Sequence, residues 1–455
     1  MMVFDHPHGF NSDCCDSISP TSLLGGNNMK KIIALLLALV MVLGLVACGG
    51  PSTEQSKAPE VSKAPEASKA PESNEPEAIT LKVWTPQEDQ VAGGWWDTVK
   101  AGFEAAHPEY KITWEMGVCG EGDAGNTVKN DPSAAADVYM FANDQLGTLI
   151  QSNALAKLGG SYLEQVQNDV SATYLASVTH TDGGVYGFPM TCNTWFMYYN
   201  KDLFTEEEVK SLDTMLTKGV TVTFPMTTAW YGGAFFIGNG GTLYGPNSND
   251  GTQGIQFGGE NGVAAATYMI NLAANPNFKN DADGLGNAGL KDGTVGAYFS
   301  GSWDYAGLYE ALGDKLGAVQ LPVANINGTD VQMKAFAGSK AVGVNPNAKN
   351  MKAAMQLAAY MASAEAQLAR FELRNITPAI SALAEDAAVQ ASICAMAEMG
   401  VMAGTSVLQP SIPEMGNYWG PMETFGKAIV DGSVTVDNVA EQLDALLNQL
   451  NNSGL

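Results

Sequence analysis

Three acidic residues placed after predicted β-strands are the clearest candidates for chemistry: Glu88, Asp89 and Asp144. Glycoside hydrolysis is the reaction they could perform, with Glu88 and either aspartate as acid and base, but it needs two carboxyls held about 5–10 Å apart across the bond. Neighbouring residues of one loop make a poor pair. Structural roles are the alternatives: Asp and Asn are favoured helix N-caps, which would explain Asp144, and simple solvation would explain Glu88.

Four aromatic residues recur at loop or strand ends, each close to Gly, Asn or Asp: Phe141, Trp230, Trp303 and Trp419, with Tyr231 next to the second. One such residue alone would most often belong to a core, because Trp is usually largely buried. Four of them fit a binding platform better. Aromatic faces pack against the C–H faces of pyranose rings, and neighbouring Asp, Glu and Asn exchange hydrogen bonds with the hydroxyls. The pattern therefore favours a sugar.

The elements that would position these residues alternate between strands and helices. Strands are predicted at Ile79–Trp84, Tyr110–Trp114, Asp137–Phe141, Val295–Phe299 and Ala341–Val344. Helices are predicted at Trp95–Ala106, Val263–Leu272 and Met351–Phe371, with an amphipathic helix at the end of the chain that carries Val439, Leu443, Leu446, Leu447 and Leu450 on one face. Strands separated by helices imply parallel sheets, and ligands bind at the carboxyl ends of such strands.

The stretch Tyr186–Phe204 reads YGFPMTCNTWFMYYNKDLF. Pro189 fixes its own φ and holds the preceding residue extended, and Trp195–Tyr199 has the composition of a strand buried on both faces. Polar Thr191–Thr194 separates these two hydrophobic segments. A chain that leaves one core and enters another here would have a hinge, whereas an ordinary internal strand with a polar kink explains the stretch equally well.

A secretory signal of the lipoprotein kind is predicted at residues 29–47. Met29-Lys30-Lys31 is positively charged, Ile32 to Val46 is apolar, and small residues precede Cys48. Cys48 would be acylated and become the mature N-terminus, which predicts a lipid-anchored protein on the extracellular face of the cell membrane. A transmembrane anchor is the alternative, but the apolar run is shorter than a bilayer-spanning helix. Residues 1–28 are then an extension that precedes the true start.

Residues 48–77 are predicted to be a linker. The sequence S-K-A-P-E occurs three times at six-residue spacing, at 56–60, 62–66 and 68–72. Such Pro-rich polar sequence has no apolar surface to bury and stays extended and solvated. It would tether a lipid anchor to a folded domain that begins near residue 78.

Composition disfavours several kinds of partner. The chain carries 48 acidic against 23 basic residues, so we expect no nucleic acid partner, because phosphate binding needs clustered Lys and Arg. Arg370 and Arg374 are its only arginines, and carboxylate or phosphate ligands are usually held by bidentate Arg. No cofactor and no metal site are predicted. Cys119, Cys192 and Cys394 are scattered singly, which leaves one disulfide among them possible.

Five short segments occur in an order and spacing that together are specific, although no single one is decisive. They are Val83-Trp84, DVYMFAND at 137–144, Tyr199-Asn200-Lys201-Asp202-Leu203, Gly301-Ser302-Trp303, and Ile412-Pro413-Glu414-Met415 with Trp419. On these residues the chain, from about residue 79 to its end, resembles the extracellular solute-binding proteins of ABC sugar importers and is most similar to maltose/maltodextrin-binding proteins.

The resemblance implies an α/β, two-lobe, periplasmic-binding-protein-like fold of type II, with mixed, mostly parallel sheets. The sugar would lie in the cleft between the lobes. One lobe would comprise residues 78–190 with 337–375, and the other residues 193–335 with 379–455. A hinge of three crossings would join them, in Tyr186–Phe204, near Phe336 and at Asn375–Pro378.

Sugar contacts also follow from the resemblance. It puts Phe141 and Asp144 at the sugar-contact strand end of the first lobe and Glu88 at the acidic position after the first strand. Trp230, Trp303 and Trp419 fall where the family places ring-stacking aromatics, with Tyr231 beside the first of them.

Three positions depart from the family pattern. Asn193, a candidate contact at the cleft floor, replaces a residue that is usually Glu in maltodextrin binders. Gln145 stands where Arg usually follows the Asp, and Trp230 stands where Tyr is frequent. These departures are compatible with a sugar as the ligand, but they argue against maltose itself.

The sequence is therefore compatible with three functions. The preferred one is a monomeric, non-enzymatic, lipid-anchored subunit that captures a maltodextrin-like oligosaccharide and delivers it to the transmembrane subunits of an ABC permease. The second is a binder of a cationic solute such as a polyamine, which acidic residues and Trp would suit through cation–π contacts. The third is a surface glycosidase that uses the carboxylates named above.

Overall fold

The structure is a computed structural model that describes residues 75–452. The predicted signal, Cys48 and nearly all of the predicted linker lie outside the described residues. Within 75–452, no helix combines the length and the apolar character that a membrane crossing needs.

The strands of the described part are, in chain order, β1 Glu77–Thr85, β2 Tyr110–Val118, β3 Val138–Ala142, β4 Phe188–Asn193, β5 Phe196–Asn200, β6 Thr221–Phe224, β7 Thr242–Leu243, β8 Ile255–Gln256, β9 Phe278–Asn280, β10 Val295–Ser300, β11 Leu316–Val319, β12 Val323–Ile326, β13 Thr329–Gln332, β14 Ala335–Val344 and β15 Ser406–Leu408. The predicted strands all lie within or next to these, because buried, β-branched or aromatic runs favour a pleated environment.

The α-helices are α1 Trp95–Ala106, α2 Ala124–Val128, α3 Leu146–Gln151, α4 Gly160–Asp169, α5 Ala172–Ser177, α6 Leu212–Leu216, α7 Ala229–Gly232, α8 Ala234–Gly238, α9 Gly259–Ala273, α10 Leu285–Asp292, α11 Tyr305–Leu312, α12 Met351–Met361, α13 Ala364–Arg374, α14 Ala387–Ala391, α15 Ile393–Gly404, α16 Trp419–Val430 and α17 Val439–Asn452. The first predicted helix, α1, has the bounds expected, and α17 buries the predicted apolar face.

One helix prediction is wrong. Met351–Phe371 is not one continuous helix but two, α12 and α13, which are separated at Ser363. Ser363 is extended, and its hydroxyl accepts a hydrogen bond from the backbone N–H of Ala366, so it caps the start of α13. A Ser at an N-cap satisfies one of the unpaired amides of the first turn, and that local bond competes with an uninterrupted helix.

Two large mixed sheets form the framework. The first has the order β15-β14-β3-β1-β2, with β4 also paired to β14, and the second has the order β11-β5-β10-β6-β9. In the first, β1 runs parallel to β2 and β3 while β14 is antiparallel to β3 and β4. In the second, β6 runs parallel to β9 and β10, while β5 is antiparallel to β10 and β11.

Each sheet belongs to its own hydrophobic core, and the chain passes between the cores three times. Met190 lies in the first core and Trp195 in the second. Strand β14 returns the chain, with Phe336 in the second core and Ala341 in the first. The third passage runs between α13, which borders the first core, and α15, which packs into the second. The predicted two-lobe α/β fold is thus confirmed, whereas the predicted lobe boundaries stay a prediction.

Hydrogen bonds connect the three passages between the cores. β4 pairs with the middle of β14, with Asn193 opposite Gly338. Thr377, in the third passage, accepts hydrogen bonds from the backbone N–H of Cys192 at 3.1 Å and from Thr191 Oγ1 at 2.9 Å. The stretch Tyr186–Phe204 therefore links two cores, which favours the hinge interpretation over a kinked internal strand.

Candidate functional site

Polar turns directly follow three parallel-paired strands and face the junction of the lobes. Short 3₁₀ turns at Gln87–Asp89, Asn143–Gln145 and Ser302–Asp304 begin immediately after, or one residue beyond, the ends of β1, β3 and β10. The carboxyl ends of such strands are where α/β folds place ligands. The predicted carboxylates and Trp303 therefore lie on the part of each sheet where ligand contacts are expected.

A cavity of about 420 Å³ brings five of the predicted residues together. It is lined by Gly122, Ala142, Asp144, Asn193, Trp230, Trp303, Lys340, Gln409 and Trp419. The wall comes from both lobes and from two of the passages between them. Three tryptophans beside a carboxylate and an amide provide flat apolar faces together with hydrogen-bonding groups at their edges.

The tryptophans of the cavity are held at different depths. Trp303 is 44% exposed, and its ring centroid lies 6.0 Å from that of Trp230 at an interplanar angle of 35°. Trp230 is partly buried and donates its indole N–H to Gln409 Oε1 at 2.9 Å. Trp419 begins α16 and packs edge-on against Tyr418, with centroids 5.1 Å apart. Trp303 thus presents the most open ring.

Gly301 allows the Trp303 ring to lie where it does. A Cβ added at Gly301 would overlap the six-membered part of the Trp303 indole. The ring can pack on this backbone only because no side chain stands there. The Gly-Ser-Trp segment is therefore a structural unit as well as a sequence motif.

Asn193 and its neighbours form a buried amide network on the cavity floor. Asn193 Nδ2 donates to Asn143 Oδ1 at 3.5 Å, and Asn143 Nδ2 donates to the carbonyl of Gln409 at 3.2 Å. Asn143 in turn packs against Gly338, where any side chain would collide with it. The network fixes the floor and leaves the second face of Asn193 on the cavity.

Asp144 is a cavity residue and not a helix cap. The residue at the N-cap of α3 is Gln145, and no side chain caps that helix. Burial raises the pKa of the Asp144 carboxyl to about 7. A carboxyl in this setting can either accept or donate a hydrogen bond near neutral pH, which suits hydroxyl groups.

Two predicted contacts lie behind the cavity wall. Phe141 is fully buried in the first core, so its prediction as a sugar contact is corrected: on a strand buried on both faces, its side chain points into the core. Tyr231 does not line this cavity. Its ring packs against Trp230, with centroids 5.4 Å apart, and against Trp195, with centroids 4.8 Å apart. Both support the wall without forming it.

Lys340 and Gln409 line the cavity and were missed from the sequence. Lys340 is the one charged residue of β14 and lies with its ammonium 5.8 Å from the Trp303 ring centroid. A lone charge inside an apolar strand was the available signal, since it is costly unless it has a use. Gln409 follows β15 and carries no comparable signal.

A second, smaller cavity of about 140 Å³ adjoins the first and holds Glu88. Its lining is Pro86, Glu88, Glu121, Thr191, Cys192, Ser302, Trp303, Lys340, Arg370, Arg374 and Ile376. Trp303 and Lys340 border both cavities. All three passages between the lobes contribute to it, through Thr191, Lys340 and Ile376.

Both arginines of the chain are committed to carboxylates beside this smaller cavity. Arg370 is buried and binds Asp89 in bidentate fashion, with Nε–Oδ1 at 3.1 Å and Nη2–Oδ2 at 2.8 Å. Arg374 also donates to Asp89, and Arg370 Nη2 reaches Glu121 Oε1 at 3.1 Å. Asp89 is therefore occupied by ion pairs, which removes it as the partner of Glu88 in an acid/base pair.

Glu121 is the buried anion of the same group. Burial alone would raise its pKa, but the charges of Lys340 and Arg370 outweigh this and lower the pKa of Glu121 to about 2. Glu121 Oε2 lies 3.8 Å from the Lys340 ammonium. Glu121 is thus ionised at neutral pH and holds Lys340 at the border of the two cavities.

A protonatable residue contacts the turn that carries Trp303. Glu398 of α15 is buried and accepts a hydrogen bond from Ser302 Oγ at 3.1 Å. Burial raises the pKa of Glu398 to about 7.

The three cysteines of the described part, Cys119, Cys192 and Cys394, are all free and buried, so the possible disulfide among them is not formed.

Comparisons with known proteins agree with this architecture. A family model described as bacterial extracellular solute-binding protein matches residues 98–397. The galactooligosaccharide-binding protein of Bacillus subtilis (strain 168) is 26% identical over 437 residues, which cover 91% of this chain and 95% of that protein. The maltooligosaccharide ABC transporter solute-binding lipoprotein of Streptococcus pneumoniae serotype 4 is 24% identical, covering 92% of this chain and 97% of that protein.

A solved structure of a protein with acarbose is 46% identical to this chain, at a TM-score of 0.79, and covers 83% of this chain and 99% of its own. The family model spans well over half of the sequence, and the relatives align along nearly their whole lengths. The chain belongs to the bacterial extracellular solute-binding proteins.

Proposed function

We propose that the protein is the extracellular substrate-binding subunit of an ABC transporter and that it captures an oligosaccharide in the cleft between its lobes. The observation that carries this proposal is the 420 Å³ cavity, where Trp230, Trp303 and Trp419 stand beside Asp144 and Asn193. A ligand with apolar faces and a polar rim requires both residue types together, and a chain of pyranose rings has that form.

Closure of the lobes around the sugar is the proposed functional event. Asp144 belongs to the first lobe, whereas Trp230 and Trp419 pack against the second core and Trp303 follows β10 of the second sheet, so one ligand would touch both lobes. A ligand that binds the closed state better than the open state shifts the equilibrium towards closure. The closed, loaded form would then be the one delivered to the permease.

The sugar is proposed to be maltodextrin-like without a restriction to maltose. Relatives named for maltooligosaccharide and for galactooligosaccharide binding, and a similar protein solved with acarbose, support an oligosaccharide as the class. The Gln145 side chain donates to the carbonyl of Gly122 and accepts from the backbone N–H of Gly125 in α2, so it supports the cavity edge and does not line the cavity. This difference at the usual Arg position supports a specificity other than that for maltose.

Anchoring through Cys48 completes the proposal. The signal-like segment at 29–47, the S-K-A-P-E linker and the lipoprotein name of a relative support it. The linker would let the folded part move near the membrane and meet the transmembrane subunits.

A thermal-shift panel on the full chain in mild detergent tests the proposed ligand class. The panel should contain maltose to maltoheptaose, xylo-oligosaccharides, galacto-oligosaccharides and spermidine. A ligand that binds only the folded state raises the melting temperature with concentration. We expect a rise with at least one oligosaccharide series.

Two outcomes would contradict the proposal. A rise with spermidine alone would show a cation binder, which the ammonium of Lys340 in the cavity wall disfavours. Release of reducing ends during incubation would show a glycosidase. Asp89 is already paired with both arginines, and Glu88 and Asp144 line different cavities, so we expect no such release.

A further inference from the structure

Gln409 connects one tryptophan of the larger cavity to the framework of the cleft. Its Oε1 accepts the indole N–H of Trp230 at 2.9 Å, and both residues line that cavity. An indole nitrogen can only donate, so this contact requires the amide oxygen of Gln409 to face Trp230. The hydrogen bond therefore fixes the orientation of the Gln409 amide as well as that of the ring.

The main chain of Gln409 is fixed at two points. Its backbone N–H donates to the carbonyl of Ala337 at 2.8 Å, and its own carbonyl accepts a hydrogen bond from Asn143 Nδ2 at 3.2 Å. Ala337 belongs to β14, which passes between the cores, and Asn143 directly follows β3 of the first sheet. Gln409 is only 2% exposed, so its side chain has little room to adopt another rotamer.

Packing alone leaves the Trp230 ring some freedom. The ring belongs to α7, a single turn of four residues that is followed by Gly233. It meets Trp303 at a tilt of 35° and Tyr231 edge-on. Apolar contacts of this kind are non-directional, whereas a hydrogen bond weakens steeply as its angle departs from linearity. The bond to Gln409 is thus the directional restraint on the plane of the Trp230 ring.

The plane of this ring decides how well it can stack on a sugar, because aromatic faces pack against the C–H faces of pyranose rings. Trp230 packs against the second core and Asn143 belongs to the first lobe, so Gln409 sets the position of the ring relative to both lobes. A contact group that is already in place before the ligand arrives loses less conformational entropy on binding. Holding the ring therefore increases affinity without any new contact to the ligand.

We propose that Gln409 is a positioning residue of the sugar site, which holds Trp230 in the plane that stacks on the ligand and acts through the indole N–H. This inference rests on the proposed function. A purely structural role of the same hydrogen bond would change the stability of the protein but not the affinity of the folded protein for sugar.

A double-mutant cycle on the full chain in detergent tests the role of Gln409. Gln409→Met keeps the length of the side chain and removes the acceptor, and Trp230→Phe keeps an aromatic ring and removes the N–H. Titration calorimetry with the best sugar of the panel should show that Gln409→Met raises the Kd roughly fivefold or more, since it leaves a donor of the cavity wall unpaired. In the Trp230→Phe background the same substitution should change the Kd less than about twofold, because the partner is already absent.

The indole resonance of Trp230 is a second readout, which a change in stability alone would not move. In protein made with isotopically labelled tryptophan, Trp230→Phe identifies this resonance by its loss. Gln409→Met should shift the resonance and speed its hydrogen exchange with solvent. Gln409→Glu keeps a side-chain oxygen that accepts the N–H, so it should preserve the slow exchange. If Gln409→Met does not fold, Gln409→Glu decides: fast exchange of the Trp230 N–H in that variant would refute the proposal.

Gln356→Met is the matched control. Gln356 Oε1 also accepts a hydrogen bond from an aromatic side chain, from Tyr110 Oη at 2.9 Å, and Gln356 lines neither cavity of the cleft. The substitution should leave the Kd for sugar and the Trp230 resonance unchanged.

The outcomes separate the two proposals. If sugar binds but Gln409→Met leaves the Kd unchanged, or raises it equally with and without the Trp230 N–H, the positioning role is refuted while oligosaccharide binding stands. If no sugar of the panel binds to the wild type, the proposed function itself fails.

Discussion

Trp303→Ala is the sharpest test of whether the cleft uses aromatic stacking. Trp303 is 44% exposed and borders both cavities. Because a large aromatic side chain contributes up to about 250 Å² of surface, roughly 110 Å² of the residue is open to a ligand. Most of its remaining surface packs on Gly301 and near Trp230.

The expected effect on binding follows from that area. At about 25 cal/mol per Å², covering all of the open surface would contribute about 2.7 kcal/mol, and covering one ring face about half of that. Trp303→Ala should therefore raise the Kd roughly 10- to 100-fold, as measured by titration calorimetry with the best sugar of the panel. The stability of the unliganded protein should fall by less than about 2 kcal/mol, against about 3–5 kcal/mol for truncation of a fully buried Trp.

Tyr309→Ala is the matched control, since Tyr309 is 45% exposed, belongs to the same lobe and lines neither cavity. It should leave the Kd unchanged. The stacking argument is wrong if Trp303→Ala binds sugar as tightly as the wild type. It is also wrong if the variant melts as a core truncation would, because Trp303 would then be a structural residue.

Three further perturbations have defined outcomes. Glu121→Gln should lower the free energy of unfolding by roughly 2 kcal/mol at pH 7, as measured in urea, because it leaves buried cations without their carboxylate. The pKa of Glu121 in the folded state is lowered to about 2. The difference between variant and wild type should therefore shrink as the pH falls from about 4.5 towards 2, where the wild-type carboxylate is protonated as well. The pKa of Glu398 in the folded state is raised to about 7, so the free energy of unfolding of the wild type should fall by at most about 3 kcal/mol as the pH rises from about 4.5 to 7. Glu398→Gln should make the free energy of unfolding less dependent on pH in this range. The same pH dependence in the variant would show that Glu398 is not the titrating group. Cys48→Ser should abolish metabolic labelling with palmitate and move the protein from the membrane fraction to the medium, and unchanged fractionation would refute the anchor.

Much of the fold could be read from the sequence because its signals are local. The helix at Trp95–Ala106 buries Trp96, Val99 and Phe103 on one face, and Pro108 follows its end, so periodicity and a breaker agree. The break at Ser363 was missed because a Ser inside an apolar, Ala-rich run is a weak signal next to the run itself. The cap becomes decisive only when its side chain bonds to the amide of Ala366.

In the candidate site, too, the residues with local sequence signals could be predicted and those that depend on distant residues could not. Aromatics beside small residues indicated the stacking wall, and polar residues after strands indicated Asp144, since both patterns are continuous in the sequence. Phe141 was misplaced because a strand buried on both faces leaves no alternation to show where a side chain points. Lys340 and Gln409 could not be placed on the cavity, since their roles depend on Trp303 and Trp230, which lie far away in the sequence.

Strand β14 explains why the two cavities and the hinge form one unit. Its first residues pack in the second core and its last residues in the first, and Lys340 stands where it passes between them. Glu121 of the first lobe and Trp303 of the second both lie against that one side chain. A ligand shifts an equilibrium between open and closed states only by its difference in affinity for the two. A sugar that contacts Lys340, Glu121 and Trp303 together meets all three in one geometry only, so the interactions that bind the sugar are the same ones that would favour the closed state. Lys340→Met should consequently reduce ligand-induced closure, measured as the change in radius of gyration by small-angle X-ray scattering at saturating sugar, as well as affinity; full closure by the variant at saturation would show that recognition and closure are separate.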